Sequence, residues 1–241
     1  MTQVTLGAHA RIPASIRGQK MPSTLSTTRP SAPDLDTKTL PRQGRAQETF
    51  ERILAITADL LSEVGIERLS TNLICERAGL TPPALYRYFP NKYAVLHALG
   101  ERLMGAQNSL LAQWATPETL AAPAAEFERR LLVLFADTLA LTDAFAGGVW
   151  IMRALRAVPA LYEVRVASHR HVSQLIEQAF LSAHPDIDRT QVQTFARLAV
   201  EMGYAVQEML SDEPDLDARV VIQRYAAMIT REVMDLRDSA R

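Results

Sequence analysis

The stretch STNLICERAGLTPPALYRYFPNK, residues 70–92, predicts two very short helices joined by a tight turn. Ser70 is a typical helix N-cap and Gly79 a typical helix end, so a helix of about two turns fits between them. The second helix covers 82–89, because a hydroxyl at Thr81 followed by proline suits the unpaired amides at a helix start.

The second helix separates into two faces when its residues are placed about 100° apart around the axis. We expect the bulky apolar face to pack inward, and it contains Leu85, Tyr88 and Phe89. The opposite face has almost no long apolar side chain and contains Pro83, Ala84, Tyr86 and Arg87. Two short helices joined in this way form a helix-turn-helix, whose second helix enters the DNA major groove while the first crosses the backbone.

The charge of the chain is uneven. The 241 residues have a formal net charge of -1, but residues 1–103 contain 13 Lys and Arg against 9 Asp and Glu, whereas residues 104–241 contain 13 against 18. The first part is therefore the expected footprint for nucleic acid. The lone cysteine, Cys75, excludes an intrachain disulfide and a cysteine-built zinc site, and we expect it to be a buried, inert thiol.

The sequence has no run near the roughly 20 apolar residues that span a bilayer, and its start lacks the apolar core of a signal peptide. We therefore expect a cytoplasmic protein. Residues 1–42 are rich in Ser, Thr, Pro and Arg without any period, which predicts a disordered basic arm. A solvated tail and a true start at Met21 are the alternatives.

Nearly everything from Gln43 onward has the three- and four-residue apolar spacing of helices, which predicts an all-α fold. The first helix carries a stripe from Phe50 to Val64 and closes at Gly65, and a later one runs from Asn91 toward Trp114. The remaining predicted helices are Pro123 to Leu141, Phe145 to Arg156, Pro159 to about Ala183, Asp188 to Leu210 and Leu216 to Arg237.

The runs RAGLT at 77–81 and LYRYFPNK at 85–92 resemble the DNA-binding signature of the TetR family of bacterial transcriptional regulators. The resemblance covers about 43–103 and implies a three-helix DNA-binding domain over 43–92. It also implies DNA contacts from the following side chains: Ser70, Thr71, Asn72, Thr81, Pro82, Pro83, Ala84, Tyr86, Arg87 and Lys92. Hydroxyls, amides and cations of this kind position a protein on phosphates.

One departure from the family pattern concerns direct base reading. Family members often have a polar or cationic residue and then a threonine where this chain has Pro82 and Ala84. Sequence choice is therefore expected to depend on Arg87, on contact between Ala84 and thymine methyls, and on DNA shape. Arg77 is expected to be a solvated or helix-pairing residue and not a base reader.

The resemblance further implies that residues 93–241 form a helical domain that binds a small molecule and dimerises through the last two helices. Gly147, Gly148 and Pro159 interrupt helices, and such interruptions leave room for a pocket. The residues expected to bind a mostly apolar ligand are Trp114, Phe145, Trp150, Met152, Tyr162 and Met202.

These features together predict a ligand-responsive regulator, a repressor that binds a pseudo-palindromic operator as a homodimer and is released by a small molecule. The alternatives are a helical enzyme and a helical scaffold without DNA binding. His169 and His171 are the one conspicuous cluster, but residues two apart on a helix point about 200° apart and do not share a metal. No catalytic residue, metal site or cofactor is predicted.

Overall fold

The computed structural model describes residues 33–38 and 44–239. Every regular element in these residues is a helix, which confirms the predicted all-α class. A one-turn 3-10 helix, Pro159–Leu161, separates α7 from α8. In chain order the α-helices are α1 Arg45–Arg68, α2 Thr71–Ala78, α3 Pro82–Tyr86, α4 Lys92–Trp114, α5 Pro117–Ala121, α6 Ala124–Ala144, α7 Gly148–Ala157, α8 Tyr162–Ala183, α9 Arg189–Asp212 and α10 Ala218–Asp238.

Two boundaries differ from the prediction in the first half of the chain. Helix α3 ends at Tyr86 and not at Phe89, although the amides of Tyr88 and Phe89 still donate to the carbonyl of Leu85 in a terminal turn. Helix α5 was not predicted, and Thr116 caps it by accepting a hydrogen bond from the amide of Thr119.

Helix α7 begins at Gly148 and not at Phe145, and the reason is the backbone at Gly147. Gly147 has φ 67°, a left-handed conformation that favours glycine. A Cβ at this residue would lie 2.7 Å from the carbonyl oxygen of Ala58, so the loop between α6 and α7 lies directly against α1. This contact joins the first helix of the chain to its second half.

A first hydrophobic cluster joins α1 to α4 and includes the inner face of α7. The rings of Phe50 and Phe89 stack with their centroids 4.9 Å apart, and Tyr88 packs edge-on against Phe50. Leu85, Tyr88 and Phe89 are at most 1% exposed, which confirms the inward face predicted for α3. These three residues hold α3 on the rest of the cluster.

A second hydrophobic cluster lies among the end of α4 and helices α5, α6, α8, α9 and α10. Phe127, Phe180 and Val192 are nearly inaccessible to solvent at its centre. Helix α4 runs through both clusters without a break. The domain division at residue 92 stays a prediction, because no interruption of the chain marks it.

Residues 33–38 were included in the predicted disordered arm, but the structure packs them against the first cluster. The amide of Lys38 donates to the carbonyl of Tyr88 at 2.9 Å, and the Asn91 side chain donates to the carbonyl of Asp34 at 2.7 Å. Leu35 contacts the cluster. The rest of the predicted arm, 1–32 and 39–42, lies outside the described residues.

Among the described residues, no single helix is both long and apolar enough to cross a membrane. Helices α6 and α7 reach the required length and composition only when counted together, and they are bent by 96° at the break between them.

Candidate nucleic-acid interface and ligand cavity

The turn between α2 and α3 is built from local signals that the sequence displays. The hydroxyl of Ser70 accepts the amide of Leu73, as predicted for an N-cap. Gly79 has φ 62°, and the amide of Leu80 donates to the carbonyl of Cys75 at 2.9 Å, which closes α2. Thr81 occupies the N-cap position of α3, but its side chain makes no capping bond there, so its hydroxyl is free for another partner.

The outer face of α3 is exposed, as the wheel predicted. Pro82, Pro83, Tyr86 and Arg87 are exposed, and Ala84 is half-buried. The hydroxyls of Tyr86 and Thr71 lie 3.1 Å apart, so a hydrogen bond ties α3 to the start of α2. Only one of the two hydroxyl hydrogens is used in that bond, and the other remains available to an acceptor such as a phosphate oxygen.

Arg87 stands at the end of α3 and is held by its neighbour. One guanidinium nitrogen donates to the Tyr88 hydroxyl at 2.7 Å, and the guanidinium carbon lies 5.0 Å from the centre of the same ring. The buried Tyr88 ring therefore fixes the direction of Arg87, while the other guanidinium donors remain on the exposed face. Asn72 is also exposed, one residue after Thr71.

Lys92 has a structural role that the sequence did not predict. Its ammonium donates to the carbonyls of Ile66 and Leu69, at 3.0 and 2.8 Å. These carbonyls end α1, so the charge of Lys92 satisfies groups that a helix end leaves unpaired. One N–H of the ammonium remains, and the phosphate contact stays a prediction that this remaining hydrogen would have to serve.

Two further predictions for α2 are confirmed. Arg77 makes a bidentate pair with Glu63 on α1, with N–O distances of 2.9 and 2.8 Å, so it is a helix-pairing residue. Cys75 is buried, and this burial raises the pKa of its thiol, as expected for an inert cysteine.

The cavity lies in the second half of the molecule, between α4, α6, α8, α9 and α10. It contains about 780 Å³ of space free of protein atoms, its open mouth included. The described residues around it carry no charge and are mostly aromatic or aliphatic: Leu111, Trp114, Leu120, Phe127, Leu131, Leu134, Phe135, Thr138, Leu139, Ile176, Phe195, Ala199, Val200, Gly203, Tyr204, Gln207 and Tyr225. Such a lining suits a neutral, mostly apolar molecule.

One wall of the cavity adjoins a buried hydrogen-bond network that links three helices. Thr142 of α6 accepts one bond from the Gln107 amide at 2.8 Å and one from the Gln207 amide at 2.7 Å, and donates to the carbonyl of Thr138. The hydroxyl of Tyr204 donates to the Gln107 side-chain oxygen at 3.0 Å. Gln107 belongs to α4, and Tyr204 and Gln207 belong to α9 and line the cavity.

Of the six predicted ligand-binding residues, the described lining of this cavity includes Trp114 alone. Trp150 is 38% exposed beside Arg153, and Tyr162 is 52% exposed beside Arg165, because α7 and the start of α8 turn these rings outward. The expectation of a pocket around Trp150 is therefore corrected. Phe145 packs against the first cluster, Met152 lines a separate polar pocket, and Met202 lines a groove on the α9–α10 surface.

The network was missed although the sequence carries a signal for it. Gln107, Thr142 and Gln207 each interrupt an otherwise apolar helix face, and each is at most 5% exposed. Gly203 lies in mid-helix in α9 and lines the cavity, where the absence of a side chain leaves space. Buried polar groups need partners, so three such residues on different helices indicate a shared network.

The two histidines noted in the sequence point apart, as predicted. His169 is 1% exposed and His171 is exposed.

The outer surface of α9 and α10 exposes large apolar side chains. Leu198 is 57%, Val220 50% and Met228 58% exposed. A groove between the two helices includes Leu198, Met202 and Met228. The inward residues predicted for this pair, such as Phe195 and Tyr225, are instead packed within the chain.

Comparisons with known proteins locate the similarity in the first half of the chain. Residues 53–99 match the family model described as "Bacterial regulatory proteins, tetR family". Tetracycline repressor protein class A from transposon 1721 of Escherichia coli is 40% identical over 57 residues, 24% of this chain and 26% of that protein. Nucleoid occlusion factor SlmA of Haemophilus influenzae (strain PittGG) is 32% identical over 80 residues, 33% of this chain and 36% of that protein.

The chain thus matches only about a quarter to a third of the length of these relatives. Solved structures resemble it over a longer stretch. A TetR-family regulator from Syntrophomonas wolfei superimposes with a TM-score of 0.62 at 12% identity, covering 79% of this chain and 97% of that one. SmeT in complex with triclosan gives a TM-score of 0.58 at 22% identity, covering 81% and 95%. At these identities the likeness shows the fold.

Proposed function

Because the chain belongs, through residues 53–99, to the tetR family of bacterial regulatory proteins, we propose that it is a ligand-responsive transcriptional repressor. It binds a pseudo-palindromic DNA operator as a homodimer, and a small, mostly apolar molecule releases it. The observation that carries the proposal is the combination of an exposed α3 face and an uncharged cavity, with α4 running between them.

The proposed DNA contacts fall into two classes. The hydroxyls of Thr71, Thr81 and Tyr86 and the side chains of Ser70, Asn72 and Lys92 meet the backbone, because such groups bind phosphate oxygens without reading bases. Arg87 contacts a base edge in the major groove, and Pro82, Pro83 and Ala84 offer apolar contact to thymine methyls. An operator rich in A·T pairs at the positions facing Ala84 is the expected consequence.

The proposed dimer forms through the exposed apolar face of α9 and α10. Isolated surface leucines and methionines are ordinary, but Leu198, Val220 and Met228 lie on adjoining helices beside a groove. A two-fold axis there would bury each protomer's groove against the other. Dimerisation places two α3 helices on one DNA face, and half-sites about 34 Å apart, or a multiple of that distance, are required.

The proposed ligand is neutral, since a charged group inside the uncharged cavity would lose its hydration without gaining a partner. Aromatic side chains such as Phe127 and Phe135 favour a planar or ring-containing molecule. The structural neighbour SmeT is described with bound triclosan, a compound of this kind, and triclosan is therefore the first compound to test on this chain.

The signal from the cavity is proposed to travel through the buried network. A ligand that contacts Tyr204 or Gln207 disturbs their bonds to Gln107 and Thr142, and Gln107 belongs to the helix that begins beside α1. The ligand acts only as far as its affinity differs between the two arrangements of α4.

Two experiments test the proposal. Gel-shift titration of the DNA beside the protein's own gene tests operator binding, and light scattering of the purified chain tests the dimer. A chain that binds no DNA segment more tightly than unrelated DNA of equal length contradicts the regulator, and a monomer at operator-binding concentrations contradicts the dimer.

The network is tested with Gln107→Leu, which removes the α4 member without altering a cavity-lining side chain. We expect triclosan affinity to stay within about threefold of the wild type, while triclosan-induced release from DNA becomes much weaker. Tyr225→Phe is the matched control, because its hydroxyl lies in the same cavity lining but donates only to the carbonyl of Ala199. Full release in Gln107→Leu would contradict the route through α4.

A further inference from the structure

A second pocket, the polar pocket, lies between α7, α8 and α9. It contains about 530 Å³ of space free of protein atoms, its opening included. Its lining differs from that of the apolar cavity by its charged groups: Arg153, Arg156, Arg165, His169, Glu201, Glu208 and Asp212. Arg153 pairs with Asp212 and Arg156 with Glu208, which leaves Arg165, His169 and Glu201 as a separate group.

Glu201 is shared by three nitrogen bases. One of its carboxylate oxygens lies 3.0 Å from His169 Nδ1 and also contacts the guanidinium of Arg197, which reaches it from one turn earlier on α9. The other oxygen lies 3.7 Å from Arg165, beyond hydrogen-bond distance. Two arginines and one carboxylate leave the group with an excess positive charge of one.

Three buried nitrogen atoms of this group meet no hydrogen-bond partner among the described residues. They are Nε of Arg165, Nε2 of His169 and one terminal nitrogen of Arg197. Buried polar atoms in folded proteins are nearly always bonded, and three orphans around one carboxylate are unusual. The group therefore offers more hydrogen-bonding capacity than the chain uses.

The protonation of His169 determines what the orphans require. Burial lowers the pKa of His169, so its ring is neutral. Burial alone would raise the pKa of Glu201, but the bond from His169 and the charges of Arg197 and Arg165 hold this pKa below its usual value. The ionised carboxylate accepts, so Nδ1 carries the ring hydrogen, and Nε2 keeps a lone pair that needs a donor.

We propose that the polar pocket binds a small oxyanion that also carries an O–H group, such as a protonated phosphate or a 2-hydroxycarboxylate. Its charged oxygens accept hydrogen bonds from Arg165 and Arg197, and its O–H donates to Nε2 of His169. Arginine forks favour such oxygens, and the excess positive charge favours an anion. The inference does not depend on DNA binding or on a ligand in the apolar cavity.

The site is placed where its occupancy can reach both halves of the molecule. Tyr204 stacks on the His169 ring, with centroids 4.0 Å apart, and also lines the apolar cavity. Helix α7 forms the other side of the polar pocket and begins at the loop that lies on α1. An anion would therefore act as a second input beside the apolar ligand.

The test uses the full chain without DNA, because anions also compete with DNA for basic side chains. Calorimetric titration at constant ionic strength compares phosphate with sulfate, and glycolate with acetate, at pH 7. Phosphate and glycolate carry an O–H at this pH and should bind in a saturable way, while sulfate and acetate should bind about tenfold more weakly. Equal, unsaturable responses to all four anions and to chloride would overturn the proposal.

Variants separate the pocket from general surface binding. Arg165→Met should weaken phosphate binding about tenfold, because a charged hydrogen-bond donor is lost. Arg170→Met is the control, since Arg170 lies on the same helix but pairs with Glu163 at the exposed surface. Glu201→Gln removes the competing carboxylate and should tighten phosphate binding about threefold. Loss of phosphate binding in Arg170→Met, or unchanged binding in both Arg165→Met and Glu201→Gln, would refute the site.

Discussion

Replacement of Lys92 by methionine distinguishes two roles of this residue. The ammonium donates to the carbonyls of Ile66 and Leu69 at 3.0 and 2.8 Å, and the side chain is half-buried. A methionine keeps most of the aliphatic chain but removes both bonds. Hydrogen bonds to charged groups contribute about 1.5–3 kcal/mol each, and partial exposure lets water replace part of this. We expect Lys92→Met to lower the free energy of unfolding by about 1–3 kcal/mol.

The expected thermal shift follows from the size of the chain. For a protein of 150–250 residues, 1 kcal/mol corresponds to roughly 2–4 °C in Tm, so Lys92→Met should melt about 3–10 °C lower. Differential scanning calorimetry measures this shift. Arg68→Met is the matched control, because Arg68 is an exposed cation in the last turn of α1 and its loss should leave Tm nearly unchanged.

DNA binding then tests the remaining N–H. If it contacts a phosphate, Lys92→Met should weaken binding to specific and unrelated DNA equally, and the slope of log K against log salt should fall by about 0.9. The measurement is made well below the lower Tm, so that all molecules are folded. An unchanged Tm together with weakened binding at one operator position would refute the reasoning, since both the helix-end role and the phosphate role predict otherwise.

The other predictions concern the DNA face, the N-terminal segment and the cavity. Arg87→Ala and Tyr86→Phe should weaken operator binding in gel shifts and change Tm by less than about 1 °C, because both side chains are exposed; a large loss of Tm with unchanged affinity per folded molecule would contradict their outward role. Deletion of Met1–Lys20 should leave Tm and the dimer unchanged by calorimetry and light scattering, since few large apolar residues are removed; a fall of many degrees would show that the segment packs. Trp150→Ala should leave triclosan binding and release unchanged, whereas Phe135→Ala, inside the cavity lining, should change triclosan affinity; the reverse result in calorimetric titration would return the ligand to the surface of α7.

The helix-turn-helix was predictable because its determinants are local. Ser70, Gly79 and Pro82 act through their own backbone conformation and nearest amides, so a single sequence displays them. The burial of Tyr88 and Phe89 followed from the helical period alone. The carbonyl partners of Lys92 were not predictable in this way, because they lie 26 and 23 residues away and depend on how α1 ends.

The cavity was misplaced because periodicity does not decide between two apolar neighbours. Trp150 and Ile151 are adjacent on α7, and either could face inward from the sequence alone. The structure buries Ile151 to 1% and leaves Trp150 38% exposed, since the close approach of Leu155 to Gly100 sets the rotation of α7 on α4. Such a choice depends on packing between helices that are distant in the sequence.

Helix α4 has the geometry of a lever between the proposed cavity and the proposed DNA face. Its 23 residues span about 34 Å, with Lys92 bonded to the end of α1 at one end and Trp114 in the cavity lining at the other. Near the middle, a Cβ on Gly100 would lie 2.6 Å from a Leu155 methyl, so α7 and α4 are in their closest contact there. We expect this contact to act as a pivot. Gln107 lies seven residues beyond it and Lys92 eight residues before it, so displacement of the network at Gln107 should produce an opposite displacement of similar size beside α1.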